Sequence, residues 1–146
     1  YNCNIQLYYT SRKEKVIIMG KKIQKLPDSE LDVMIALWNG HQEMTRSEIE
    51  EFMNKKKKLA ATTILTLLSR LEKKDFVSIK KSGKAYLYSA LVSQEEYQQQ
   101  EGKHVLEKLY DNSVKNFVAT LYQGKQIGQS DIDELESFLQ ELNKDS

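Results

Sequence analysis

Between residues 26 and 92 the apolar positions run first at helical and then at alternating spacing. LPDSELDVMIALWNG, residues 26–40, opens on Pro27-Asp28-Ser29, closes on Gly40 and sets Leu31, Met34, Ile35 and Trp38 on one stripe. MTRSEIEEFM, residues 44–53, carries the capping-box pair Thr45 and Glu48, then Ile49, Phe52 and Met53 on one face, which predicts a second helix. In AATTILTLLSRLEKK, residues 60–74, Ile64, Leu67, Leu68 and Leu71 fall at i, i+3, i+4 and i+7, a third helix with one apolar face. FVSIKKSGKAYLYSAL, residues 76–91, then alternates apolar and polar around a turn at Ser82-Gly83, the mark of a β-hairpin. Tyr86 and Tyr88 alternate within it and are expected to pack rather than stack on bases.

From Ser93 the grammar changes. Ser93 and Glu96 make another capping box, followed by Tyr97, Val105, Leu106, Leu109 and Tyr110. SVKNFVATLYQG puts Val114, Phe117, Val118 and Leu121 on one face, and SDIDELESFLQEL, with Ser130 as cap, does the same for Ile132, Leu135, Phe138, Leu139 and Leu142. Three short amphipathic helices enclose little volume, so a second copy of the chain is expected to complete their core. The dimer-forming set is therefore Val105, Leu109, Val114, Phe117, Leu121, Leu135, Phe138, Leu139 and Leu142. The fold class that follows is mainly α. A winged helix-turn-helix domain over residues 21–92 (three helices plus a β-hairpin wing) precedes a three-helix dimerisation region over residues 93–146.

Charge sharpens the division. Residues 20–92 hold 14 Lys and Arg against 9 Asp and Glu, whereas residues 93–146 hold 5 against 11. A basic front and an acidic back point to a polyanion-binding module joined to a part that stays off the polyanion. The polar face of the third helix agrees with this. Solvated helix faces usually carry Glu, Lys and Gln, but this one carries Thr62, Thr63, Thr66, Ser69 and Arg70, with no acid before Glu72. Thr and Ser are poor helix formers, so helix stability does not select them. Short hydroxyls approach phosphates closely and can touch base edges, where a Glu would be repelled. Lys55–Lys58 precede this helix, Arg70 and Lys73 extend its face, and Lys80, Lys81 and Lys84 crowd the hairpin tip. Double-stranded DNA is the partner this arrangement fits. Its expected contacts are Arg46, Thr62, Thr63, Thr66, Ser69, Arg70, Lys73, Lys80, Lys81 and Lys84.

Other classes find little support. Cys3 is the single cysteine and His41 and His104 are isolated, so no metal or cofactor site is expected. No phosphate loop or nucleophile elbow is present, and the reading is a non-enzyme. No apolar run reaches membrane-spanning length, and the expected setting is cytoplasmic. A winged-helix module that binds an acidic protein, or a repressor released by a small ligand, remain the alternatives.

The words LPDSELDVMIALW, MTRSEIEEF, TTILTLLSRLEKKDFV, GKAYLYSALVSQEEY and NFVATLYQGKQIGQSDIDELESFL resemble the penicillinase-repressor (BlaI/MecI/CopY) family of winged-helix transcriptional repressors, over residues 24–142. The resemblance implies a homodimer on a dyad operator, with Thr63, Thr66 and Arg70 on DNA and the C-terminal helices at the dimer interface. The chain ends ELNKDS and lacks the cysteine tail of the copper-responsive branch. It resembles the β-lactam-responsive branch instead, which implies cleavage at Asn116-Phe117 by a membrane sensor metalloprotease. Three departures bear on the operator. Ala60 stands where many members have a capping Ser, Leu65 where a basic residue is common, and Asp75 where Gly is usual.

Residues 1–20 fit no element of that fold and read as an extension that is either not native or disordered. Met19-Gly20-Lys21-Lys22 looks like an ordinary start, and Arg12-Lys13-Glu14 can be encoded by a purine-rich ribosome-binding sequence. Residues 3–10, CNIQLYYT, can be encoded by TGTAATATACAATTATATTACACA. This holds an inverted repeat with the TGTA/TACA ends of the operators that the resemblance implies. On that reading residues 1–18 are translated regulatory DNA and the gene represses itself.

Overall fold

The structure, a computed structural model, describes residues 23–145 and, for the backbone alone, the strands β1 (Ile5–Tyr9) and β2 (Lys15–Met19), which pair antiparallel with Ile5 opposite Met19. The expectation for residues 1–20 otherwise lies outside the described residues. There follow α1 (Asp28–Asn39), α2 (Arg46–Asn54), α3 (Ala61–Lys73), β3 (Val77–Ser82), β4 (Ala85–Ala90), α4 (Gln94–Tyr110), α5 (Val114–Gln123) and α6 (Gln129–Lys144). Two compact units result, Tyr1–Gln100 and Glu101–Ser146, divided within α4.

In the first unit α1, α2 and α3 surround one core, and β3 and β4 close it. Val33, Met34, Ile49, Ile64, Leu68, Leu71, Phe76 and Val77 are fully buried. The buried stripe of α1 is Glu30, Val33, Met34, Ala36 and Leu37, one residue round from the expected stripe of Leu31, Met34, Ile35 and Trp38. Residues 33–38 are apolar without interruption, so periodicity does not choose between adjacent faces. On the face that is buried, the Glu30 carboxylate accepts from Lys74 Nζ at 2.7 Å. Leu31 and Trp38 pack at the margin of the core, and Trp38 Nε1 donates to Val92 O at 2.9 Å.

The capping box of α2 forms as the sequence predicts. Thr45 N donates to Glu48 Oε2 at 2.7 Å, and Glu48 N donates to Thr45 Oγ1 at 3.3 Å. The donation from the Thr45 amide, seconded by its hydroxyl, holds the Glu48 carboxyl below its ordinary value. A depressed carboxyl stabilises the fold above its unfolded-state pKa, and that contribution is lost as pH falls through the folded value. Just before the box, Met44 exchanges two backbone hydrogen bonds with Tyr88, at 3.0 and 2.8 Å, an isolated antiparallel bridge on the free edge of β4. The sequence carries no signal of this bridge, because a single bridging residue leaves no alternation to detect.

The exit of α3 is a Schellman turn. Phe76 N donates to Leu71 O at 2.9 Å and Asp75 N to Glu72 O at 3.0 Å, with Asp75 left-handed at φ 62°. Asp75 thus adopts the conformation for which Gly is usual. Tyr97 ties α4 into the first unit. Its hydroxyl accepts from Leu26 N at 3.0 Å, and its ring packs against Trp38 and Phe76 with centroids 5.7 and 6.0 Å away.

In the second unit only α5 is short. α4 and α6 run 17 and 16 residues, longer than the sequence reading expected. Ser113 caps α5 by accepting from Asn116 N at 3.1 Å. Ser130 does not cap α6. The helix begins at Gln129 behind Gly128, and Asp131 Oδ2 reaches back to accept from Gly128 N at 2.8 Å. The Asp131 carboxylate thereby supplies the N-terminal cap from inside the helix, close to the positive end of its dipole. No residue of α5 or α6 is buried.

Candidate nucleic-acid interface

At 100° per residue the two faces of α3 separate cleanly. Ile64, Leu67, Leu68 and Leu71 are buried, while Thr62, Thr63, Leu65, Thr66, Ser69, Arg70, Glu72 and Lys73 are exposed. Thr62, Thr66, Ser69 and Lys73 lie along the centre of the open face. Thr63 and Arg70 form one shoulder, seven residues apart, and Leu65 and Glu72 form the other. Thr66 Oγ1 donates to Thr62 O at 3.0 Å, so its hydroxyl proton is committed to the helix. What Thr66 can offer a ligand is an acceptor lone pair and a methyl group.

Ala60 is the N-cap of α3 and makes no side-chain cap bond, as its substitution for Ser implies. The N–H groups of the first turn are therefore not taken up by a capping side chain and can meet an anion. Lys55–Lys58, just before this helix, are all exposed, and Lys55 Nζ lies 5.6 Å from the centroid of Phe52.

The wing closes on a two-residue loop, Gly83-Lys84, between paired Ser82 and Ala85, one position beyond the expected turn. Gly83, at φ 62°, takes the first loop position, where a side chain would be strained. Lys80, Lys81 and Lys84 are exposed around it. Tyr86 and Tyr88 point the same way along β4 but meet different surroundings. Tyr88 is 5 % exposed, and burial pushes its phenol upward in pKa, whereas Tyr86 is 50 % exposed with Lys81 Nζ 6.0 Å from its ring centroid. The expectation that both pack therefore fails for Tyr86, because the core reaches only the base of the wing. Arg46, at the start of α2, is half-buried and ion-paired with Glu50, unlike the open cations of α3 and the wing.

Two features of this surface are not expected from the sequence. Leu65, standing where a basic residue is common, is 43 % exposed on the hydroxyl face. Tyr86 adds an aromatic ring to the cationic wing. Only an apolar residue falling outside the i, i+3, i+4 stripe could have signalled the first.

In the second unit, Leu109, Val114, Phe138, Leu139 and Leu142 of the expected dimer-forming set are exposed, while Val105, Phe117, Leu121 and Leu135 are half-buried. Among the described residues no group of His, Cys, Asp and Glu could hold a metal ion, and no described helix is long and apolar enough to cross a membrane.

The model of the family described as Penicillinase repressor matches residues 26–141. The chain is 29 % identical over 126 residues to the penicillinase repressor of Staphylococcus aureus, which covers 86 % of this chain and 99 % of that protein. It is 28 % identical over 121 residues to the methicillin resistance regulatory protein MecI of Staphylococcus aureus strain N315, covering 83 % and 98 % respectively. Among solved structures, the DNA-binding domain of the repressor BlaI in solution is 31 % identical, with a TM-score of 0.46 over 53 % of this chain and 94 % of that one. The monomeric Bacillus licheniformis BlaI in complex with the blaP half-operator is 30 % identical, with a TM-score of 0.45 over 52 % and 92 %.

Proposed function

We propose a specific mode of repression for this chain, which belongs to the penicillinase repressor family: as a homodimer it occupies a dyad operator and so occludes a promoter. The family is one of repressors, not enzymes. The observation that carries the reading is the open face of α3, where hydroxyls and cations replace the usual acids and no side chain caps the helix start. α3 enters the major groove with Thr62, Thr63, Thr66, Ser69 and Arg70 toward bases and phosphates, and Lys73 and the wing lysines Lys80, Lys81 and Lys84 hold the backbone. Arg46, ion-paired with Glu50, keeps further N–H donors with which to reach a phosphate.

The test is binding of purified chain to the duplex TGTAATATACAATTATATTACA and to a scrambled duplex, across a salt series. Sequence-selective binding with a steep salt slope is expected. Lys81→Ala should flatten the slope by about 0.9 per protomer, the worth of one phosphate contact. Binding that ignores sequence would discard this operator. Failure on both duplexes would favour the winged-helix module that binds an acidic protein.

Release, on the same reading, is by a membrane sensor metalloprotease that cuts Asn116-Phe117. That bond lies in the first turn of α5, where the Asn116 carbonyl accepts from Thr120 Oγ1 at 2.8 Å and Phe117 packs on Tyr110 at 4.9 Å. A protease needs extended backbone, and helix ends open at lower cost than helix centres. The cut would part α6 and most of α5 from α4 and so leave two monomers. Peptide mapping of the chain from induced cells should find the new terminus at Phe117; an intact bond in derepressed cells would remove the proposal.

A further inference from the structure

Leu65 is the one large apolar side chain on the open face of α3, and it is 43 % exposed. It lies one turn from Thr62 and Ser69 and shares its shoulder of the helix with Glu72. Neither Leu65 nor Glu72 can donate a hydrogen bond to a phosphate, and Glu72 would be repelled by one. The opposite shoulder carries Thr63 and Arg70, which can both donate. With Thr63 and Arg70 held toward phosphates, Leu65, beside the central Thr62, Thr66 and Ser69, is placed to meet base edges instead. The apolar group that base edges offer in the major groove is the C5-methyl of thymine.

Resting on the DNA-binding reading above, we propose that Leu65 is a specificity-determining residue that selects a thymine in each half-site through its C5-methyl group. Thr66 supports the contact, since its hydroxyl proton is given to Thr62 O and its methyl group remains. Burying one methyl group against an apolar side chain is worth about fourfold in affinity.

The test begins with selection of duplexes from a random pool by the full chain. Each thymine of the selected site is then replaced singly by deoxyuridine, which lacks only the methyl. The chain should lose about fourfold at one thymine of each half-site and little elsewhere. Leu65→Ala, which removes the contact from both protomers of the dimer, should bind the selected site about sixteenfold more weakly and be indifferent to uridine at that same position. Leu65 is outside the core, so the variant should keep the melting temperature of the parent. Indifference of the parent chain to every uridine, or unchanged sensitivity in Leu65→Ala, overturns the assignment and leaves DNA binding standing. A pool from which nothing is enriched overturns both.

Discussion

Phe138→Asp combined with Leu142→Asp is expected to turn a dimer into a monomer and to weaken operator binding by at least about a hundredfold at sub-micromolar chain. The two side chains sit one turn apart on α6 and are 53 % and 51 % exposed in the single chain. No residue of α5 or α6 is buried there, although both helices carry a regular apolar face. Such a face is stable in water when a second copy covers it. Fully burying such a side chain contributes about 1.5–3 kcal/mol, and about half of each is still open to be covered. A twofold interface uses each of them twice, so four half-burials are lost, on the order of 3–6 kcal/mol, and four new carboxylates would then face one another. Sedimentation should report one 17.0 kDa chain where the parent gives two. The melting of the first unit should not change, because its core contains none of these residues. Operator affinity falls because a monomer makes half the phosphate contacts and engages one half-site. A parent chain that is monomeric at micromolar concentration, or a variant that still dimerises, would sink the dimer reading.

The features that were legible in the sequence are those set by local rules. The four leucine and isoleucine positions of α3, the capping box of Thr45 and Glu48, and the left-handed exit at Asp75 each depend on residues within about one turn. The hydroxyl face of α3 was visible for the same reason, since helical period alone separates it from the core. What stayed hidden depends on partners far along the chain. The face that α1 buries is set against α3, and periodicity in a helix apolar over most of its surface could not choose it. Met44 pairs with Tyr88 across 44 positions without a strand of its own. The burial of Tyr88 and exposure of Tyr86 follow from where the core ends, which alternation does not encode. Ser130 as a cap lost to Gly128 because Asp131 reaches the freed N–H from within the helix.

Glu30 and Lys74 form the contact of this kind with the largest energetic consequence. Glu30 is 3 % exposed within the α1 stripe, and the ammonium of Lys74, the C-cap of α3, lies 2.7 Å from its carboxylate. Lys74→Met is expected to lower the unfolding free energy by about 3 kcal/mol, because it leaves a buried carboxylate without its counter-ion. The low end of the usual range applies, since the Lys74 side chain is partly open to water and the relaxed site can admit solvent beside Glu30. Denaturant unfolding reads the loss directly, and the melting temperature should drop by on the order of 10 °C. Removing both charges should cost far less. In Glu30→Leu combined with Lys74→Met nothing charged is left buried, and an apolar pair of similar volume should restore stability to within about 1 kcal/mol of the parent. The two results together separate a pair that stabilises the fold from one that fixes which face of α1 meets α3. If Lys74→Met alone unfolds within about 0.5 kcal/mol of the parent, Glu30 does not need its counter-ion, and the register of α1 must be set by shape alone. If the apolar pair is stable but binds the operator less well, the ion pair acts by orienting α3 toward the DNA that it is proposed to meet.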